Sequence, residues 1–228
     1  MMMGELTRRR FVGATAGVAG AAALTSLLPA TAAVAAEPAG AAGAAGSWAG
    51  QLSSNGWPLL EAPETFGVEG SDQRVRLAGG DAAVVLLHVA RRFHYEIGEL
   101  RADEIHGWTA ARRVAQEYES NYLSGTAIAV RPLSYPAGAR DGLYPNELVV
   151  VRDILAELDG VVSWGGDLTP VKESHFEIAV KPGHPRLKGV ARKIEGWRKG
   201  PGDEGAGATD AFDPARREKA RAFARRSA

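Results

Sequence analysis

A chain of 228 residues, 45% of them hydrophobic, has room for one ordinary domain plus tails, and its composition is that of a globular protein. It contains no cysteine, which excludes disulfides, thiolate zinc sites and cysteine nucleophiles and leaves any metal to His, Asp or Glu. The formal net charge of zero hides an asymmetry: residues 37–181 carry 12 Lys+Arg against 20 Asp+Glu, and residues 182–228 carry 12 against 6. Such a basic tail reads either as a solvated run without a partner or as a segment that meets an anionic polymer or membrane surface.

In chain order, Thr7-Arg8-Arg9-Arg10-Phe11-Val12 resembles the bacterial twin-arginine export motif. An Ala/Gly-rich, moderately apolar stretch to Leu28 and small residues around Ala33-Val34-Ala35-Ala36 complete a signal peptide over residues 1–36. The stretch has few large apolar side chains, so no transmembrane anchor is expected in the mature form, and the protein is expected to be secreted, with wall association open. Residues 37–47 are an Ala/Gly linker, and the folded domain is expected over 48–181.

Within that domain, Trp48 to Gly80 reads as irregular structure with one or two short strands, Val75-Arg76-Leu77 among them. Ala82 to Phe93 has the three/four apolar spacing of a buried helix face, although its Val-rich first half also suits a strand. Glu104 to Trp108 reads as a short strand entering a Gly turn, and Thr126 to Val130 as a strand stopped by Arg131-Pro132. Glu147 to Leu158 is a helix, with Asn146 as its N-cap and Gly160 as its stop. Val161–Trp164 and Phe176–Val180 are two more strands. Residues 182–228 read as a basic, largely disordered tail, with a charged helix over Pro214–Ala224 that has little apolar stripe to bury.

Two motifs carry the functional reading. Residues 120–129, Ser-Asn-Tyr-Leu-Ser-Gly-Thr-Ala-Ile-Ala, follow the frame S-x-H-x-x-G-x-A-x-D, and Trp164-Gly165-Gly166-Asp167 with His175-Phe176-Glu177 follows W-G-G-D…H-F-E. Together they resemble the bacterial zinc D-Ala-D-Ala carboxypeptidase and L-Ala-D-Glu endopeptidase family over about residues 80–181. The resemblance implies an α+β fold, a small antiparallel sheet with packed helices, shared with the hedgehog signalling domain. It also implies a zinc held by two His and one Asp, with a carboxylate base three residues before the last His.

Carried over residue by residue, the first ligand falls on Tyr122, the Asp ligand on Ala129, and only the last, His175, is kept. The base falls on Lys172, of the wrong charge, with Glu173 next to it as a possible substitute. The substrate Arg of the family's S-G-Y-R segment falls on Thr109 through His106-Gly107-Trp108-Thr109. Asp167, Glu177, His94 and His106 are spare candidates for a rebuilt metal set. A phenol ligates only as phenolate, alanine offers no donor, and a lysine ammonium repels a dication. Whether the chain is an enzyme is therefore open, with the balance toward an inactive one.

The expected function is that of an exported, non-catalytic wall protein that binds peptidoglycan stem peptide or an anionic wall polymer. Its pocket would comprise Tyr122, Ala129, Asp167, Lys172 and His175, made cationic by Lys172 and suited to a peptide carboxylate, with no cofactor and no nucleic acid. The alternative is an active metallopeptidase with a rearranged zinc site. The blander readings are a structural His175, a core His88, core Trp164 and Phe176, and a tight turn at Gly165-Gly166-Asp167.

Overall fold

The computed structural model describes residues 45–199 and 209–227. The predicted signal peptide, residues 37–44 of the linker and residues 200–208 of the tail lie outside the described residues. In chain order the elements are β1 (Gly46–Ser47), β2 (Glu64–Gly67), β3 (Arg74–Leu77), α1 (Asp81–Glu96), β4 (Ile105–His106), β5 (Arg113–Val114), β6 (Ala127–Val130), α2 (Pro145–Glu157), β7 (Val162–Trp164), β8 (His175–Ile178), α3 (Pro185–Lys199) and α4 (Pro214–Ser227). Short 3₁₀ helices occupy Glu117–Tyr122 and Gly165–Asp167. The architecture is α+β.

The central sheet has four antiparallel strands in the order β4-β6-β8-β7. Side chains alternate across a strand, so register decides which face each one serves. Ile105, Ile128, Val130, Phe176, Ile178, Val162 and Trp164 face the main core, beneath α1 and α2. The other face carries His106, Ala129 and His175 in one cross-strand row, beside Ala127 and Glu177. The chain thus builds one apolar face and one small-and-polar face from the same sheet.

Helix α1 buries Ala82, Ala83, Val85, Leu86, Val89, Ala90 and Phe93, so the helix wins over the strand alternative for its Val-rich half. Sixteen residues of three/four periodicity outlast any strand pattern, and Asp81 in the first turn suits the helix dipole. Helix α2 begins one residue before the predicted cap. Pro145 supplies the first turn, Tyr144 is the N-cap, and Glu147 accepts the Tyr144 N–H at 2.7 Å, which leaves Asn146 exposed inside the helix. The stop lies where expected, with Asp159 and Gly160 at φ 48° and 74° after the last turn.

β2 and β3 form a hairpin that buries Val75 and Leu77. Gly125, at φ 66°, lies against the backbone there, and a Cβ on it would meet Ala78 N at 2.5 Å. That contact gives the glycine of the first motif a packing reason.

The expectation of a largely disordered tail is corrected by α3, while the helix expected over Pro214–Ala224 is present as α4 and is packed rather than without a face to bury. α3 packs on α1 through Leu187, Val190, Ala191 and Ile194, a three/four stripe that the Gly- and charge-rich composition conceals. α4 packs on α2, burying Ala220, and Ala211 just before it is also buried.

An ionic knot ties α1, α2 and α4 together. Arg92, fully buried, pairs with Glu96 at 2.6 Å, Asp153 at 2.8 Å and Glu157 at 3.0 Å. Glu157 also meets His88 at 2.8 Å, and Arg216 of α4 reaches Asp153 at 2.7 Å and Glu157 at 3.1 Å. A basic residue of the tail therefore serves as an internal counter-ion. No helix among the described residues is long and apolar enough to cross a membrane.

Candidate functional site

The small-and-polar face of the sheet is roofed by the 3₁₀ helix Glu117–Tyr122, which lays Tyr122 over Ala127 and Ala129. Small side chains on β6 make room for that ring. Tyr122 and His175 meet edge to face with ring centroids 5.1 Å apart, and Tyr118 packs on His175 at 4.9 Å. The first-ligand, Asp-ligand and last-ligand positions of the motif, 122, 129 and 175, thus converge at one place.

What converges is a closed hydrogen-bond chain. His175 is fully buried, with Nδ1 2.7 Å from the Tyr122 hydroxyl and Nε2 2.8 Å from Glu177 Oε2. A carboxylate only accepts, so Nε2 carries the proton and Nδ1 accepts from the Tyr122 O–H. Asn121 Nδ2 donates to the same Glu177 oxygen at 2.6 Å. Asn121 Oδ1 in turn accepts from Ser54 Oγ at 3.0 Å and from the Asn55 backbone N–H at 3.1 Å. Asn55 Nδ2 then reaches Thr126 Oγ1 at 2.8 Å and the Ile178 carbonyl at 2.9 Å. The 53–57 loop is thereby stitched to the sheet, and the network runs from His175 to the N-terminal segment.

Electrostatics favour the neutral forms. Burial pushes the Tyr122 phenol well above its ordinary value, with the charges of Glu119 and Glu177 acting the same way. Tyr118 rises to about 12, again chiefly by burial. Burial lowers the His175 pKa against the opposing pull of Glu177. A neutral imidazole between a phenol donor and a carboxylate acceptor is consistent with each of these shifts.

Lys172 sits at the rim, 2.7 Å from Glu119 Oε1 and 5.1 Å from the centre of the Tyr122 ring. Burial alone would raise the Glu119 pKa, but the Lys172 hydrogen bond and charge and the N–H groups of Ala115 and Gln116 bring it below the usual carboxylate range. The cationic pocket expected from Lys172 is thus corrected: Glu119 already matches its charge. The close turn behind it needs a glycine at 165, where a Cβ would meet the Lys172 carbonyl at 2.0 Å.

The remaining candidates are placed elsewhere. Both Glu173 oxygens accept backbone N–H groups, of Asp141 and Gly142, each at 2.9 Å, which fixes the loop before α2 and ties Glu173 to that loop. Asp167 is not brought into the cluster. It forms a two-pronged pair with Arg152 of α2, at 2.5 and 2.7 Å. His94 accepts the Leu100 N–H at 2.9 Å at the end of α1, and His88 belongs to the ionic knot. His106 is exposed at the end of the cross-strand row, while the Thr109 N–H reaches the Tyr122 carbonyl at 3.4 Å.

Sequence reasoning missed Glu119, Asn121, Tyr118 and the 53–57 loop. Glu119 directly precedes the first motif and Asn121 is its second residue, so proximity in sequence was a usable signal. Nothing local in Ser53–Trp57 points to a partner about 70 residues away.

Zinc, which the resemblance implies, fits these residues poorly. Position 129 has no donor, the Tyr122 phenolate is disfavoured by burial, and both His175 nitrogens are committed to hydrogen bonds. Among the described residues no group of three or more His, Asp and Glu is arranged to hold a metal ion. No protein-family model, curated protein or solved structure matches the chain.

Proposed function

We propose that this chain is an exported relative of the zinc D-Ala-D-Ala carboxypeptidase and L-Ala-D-Glu endopeptidase family that has exchanged hydrolysis for binding at the cell wall. The observation that carries this reading is the state of His175. The one retained ligand residue is buried, and its two nitrogens are taken by the side chain at the lost-ligand position 122 and by Glu177. Further support is the pairing of the closing motif. Trp164 lies opposite Phe176 on β7 and β8, and Ala129 lies opposite His175 on β6 and β8, so the two motif blocks meet in one sheet.

In this reading the former metal centre has become a structural rivet, and recognition has moved one layer outward. The accessible layer consists of the Lys172–Glu119 pair, the half-buried Tyr118 and the exposed His106. A paired Lys–Glu couple presents a donor and an acceptor side by side, which suits the amide and carboxylate groups of a stem peptide.

The test restores the missing groups. The triple variant Tyr122→His, Ala129→Asp and Lys172→Asp should bind one zinc tightly in titration calorimetry, while the parent chain carries no zinc after dialysis and leaves stem peptides uncut. The parent should be retained on isolated peptidoglycan. Stoichiometric zinc in the dialysed parent, or turnover of a stem peptide by it, would sink the proposal. Should the triple variant fail to fold, those two measurements on the parent still decide the matter.

A further inference from the structure

Helix α4 carries Arg216, Arg217, Lys219, Arg221, Arg225 and Arg226 against one acidic residue, Glu218. Arg216 turns inward and is locked to Asp153 and Glu157, which sets the rotation of the helix on α2. With that rotation set, Arg217, Arg221 and Arg225 follow one another at four-residue intervals on the outer side, all exposed. Successive members are separated by about 6 Å along the helix axis. Among the described residues none of the three guanidinium groups has an ion-pair or hydrogen-bond partner.

The row borders a groove between α2 and α4 of about 210 Å³, lined by Leu148, Val149, Ala220 and Ala224 on its floor and by Arg217 and Arg221 on its rim. Arg152, on the α2 side, is already held by Asp167 and stacks on Trp164 at 4.9 Å. The unmatched charge is therefore that of α4. An aliphatic floor beside a linear arginine row matches a chain in which short carbon segments alternate with phosphates. Guanidinium groups pair with phosphate oxygens in a two-pronged manner, and the intervening methylene and methine groups find apolar contact.

We propose that the α2–α4 groove binds an extended polyol-phosphate polymer, with Arg217, Arg221 and Arg225 each taking a phosphodiester. Two alternatives fit less well. The groove lining holds no aromatic side chain on which a nucleic-acid base could stack. Ala220 of α4 is buried and Phe223 packs against the core, so no large apolar side chain of the helix is left exposed to enter a lipid layer. The proposal is independent of the peptidase-like reading, because α2 and α4 lie across the sheet from the His175 network.

The test measures retention of the full chain on immobilised poly(glycerol phosphate) across a salt series. Parallel arms use phosphatidylglycerol vesicles, duplex DNA and poly-glutamate. The variant R217Q/R221Q/R225Q should bind the polymer at least about tenfold more weakly, with the slope of log affinity against log salt reduced by roughly two to three, because each lost contact no longer releases a condensed counterion. Its thermal midpoint should match the parent. Hydrogen exchange on the parent supplies a readout free of mutation: the polymer should protect amides of 146–152 and 215–226. No retention near 0.15 M salt (roughly a physiological ionic strength), equal retention of the variant, protection elsewhere, or tighter binding of vesicles, DNA or poly-glutamate would each overturn the proposal.

Discussion

Two buried His–Glu pairs, each 2.8 Å long, sit on opposite faces of one sheet and do different work. His88–Glu157 lies in a knot of full charges, where Arg92 and Arg216 surround three carboxylates and join α1, α2 and α4. His175–Glu177 lies in a chain of largely neutral donors, Tyr122, Asn121, Ser54 and Asn55, that joins the roof to the sheet. The same pair of residue types is thus a charge-balancing element in one place and an orienting one in the other. What differs is the third partner: a guanidinium beside the first pair, and a phenol and an amide beside the second.

That contrast predicts a graded series of effects. Arg92→Met should be the most damaging change, since it leaves Asp153, Glu96 and Glu157 short of a buried counter-charge; breaking a buried pair from one side costs about 3–5 kcal/mol. A urea midpoint close to that of the parent would show that the knot is dispensable. His175→Ala comes next, at about 2–4 kcal/mol, because it strands Tyr122 and Glu177 and opens a small cavity. If the two networks are independent, the costs of these two changes should add in the double variant.

Acid should separate the networks without mutation. Burial holds the His175 pKa below the ordinary imidazole value, so the unfolded chain takes up that proton first. Its contribution is complete above about pH 6.5 and is lost as pH falls toward the folded value. Glu157 is brought down to about 2, burial being outweighed by the His88 hydrogen bond and the Arg92 and Arg216 contacts. Its contribution is present above about pH 4.3 and disappears as pH falls through the folded value, removing on the order of 3 kcal/mol. Stability plotted against pH should therefore fall in two stages. A single stage beginning near pH 4 would mean that His175 is not held neutral.

Tyr122→Phe tests the polarity of the network. It removes the O–H donor to Nδ1 and should cost about 1–2 kcal/mol, with the Nδ1 nitrogen resonance moving as its acceptor role goes unfilled. An unchanged resonance would contradict the Nε2–H tautomer. Lys172→Met is the mildest change, at about 1 kcal/mol: the pair is mostly buried, each side chain 16% exposed, but Glu119 keeps the N–H groups of Ala115 and Gln116 when the ammonium is removed. A large loss would place Lys172 in the structural chain rather than at the recognised surface.

Much of the framework was legible from local pattern. The helix over 82–93, the helix ending before Gly160 and the strands at 126–130, 161–164 and 176–180 all lie close to their predicted positions. Their periodicities of 3.6 and 2 are written in consecutive residues, so no distant contact was needed to read them. The two tail helices were harder. The stripe Leu187, Val190, Ala191 and Ile194 is local, but it is diluted by Gly, Lys and Arg, and averaging over the segment hides it.

The sequence by itself determined the side chains at positions 122, 129, 172 and 175: a phenol, a methyl, an ammonium and an imidazole. Only the tertiary structure decided what they meet. The phenol of Tyr122 meets His175 across 53 residues, Lys172 meets Glu119 across another 53, and Asn121 meets the 53–57 loop across 66 and 67. The reason is that a residue's chemistry is carried by its own side chain, whereas its protonation, charge balance and accessibility depend on neighbours supplied by chain closure. The donors these side chains carry were readable in one dimension; the hydrogen-bond network that joins them required three.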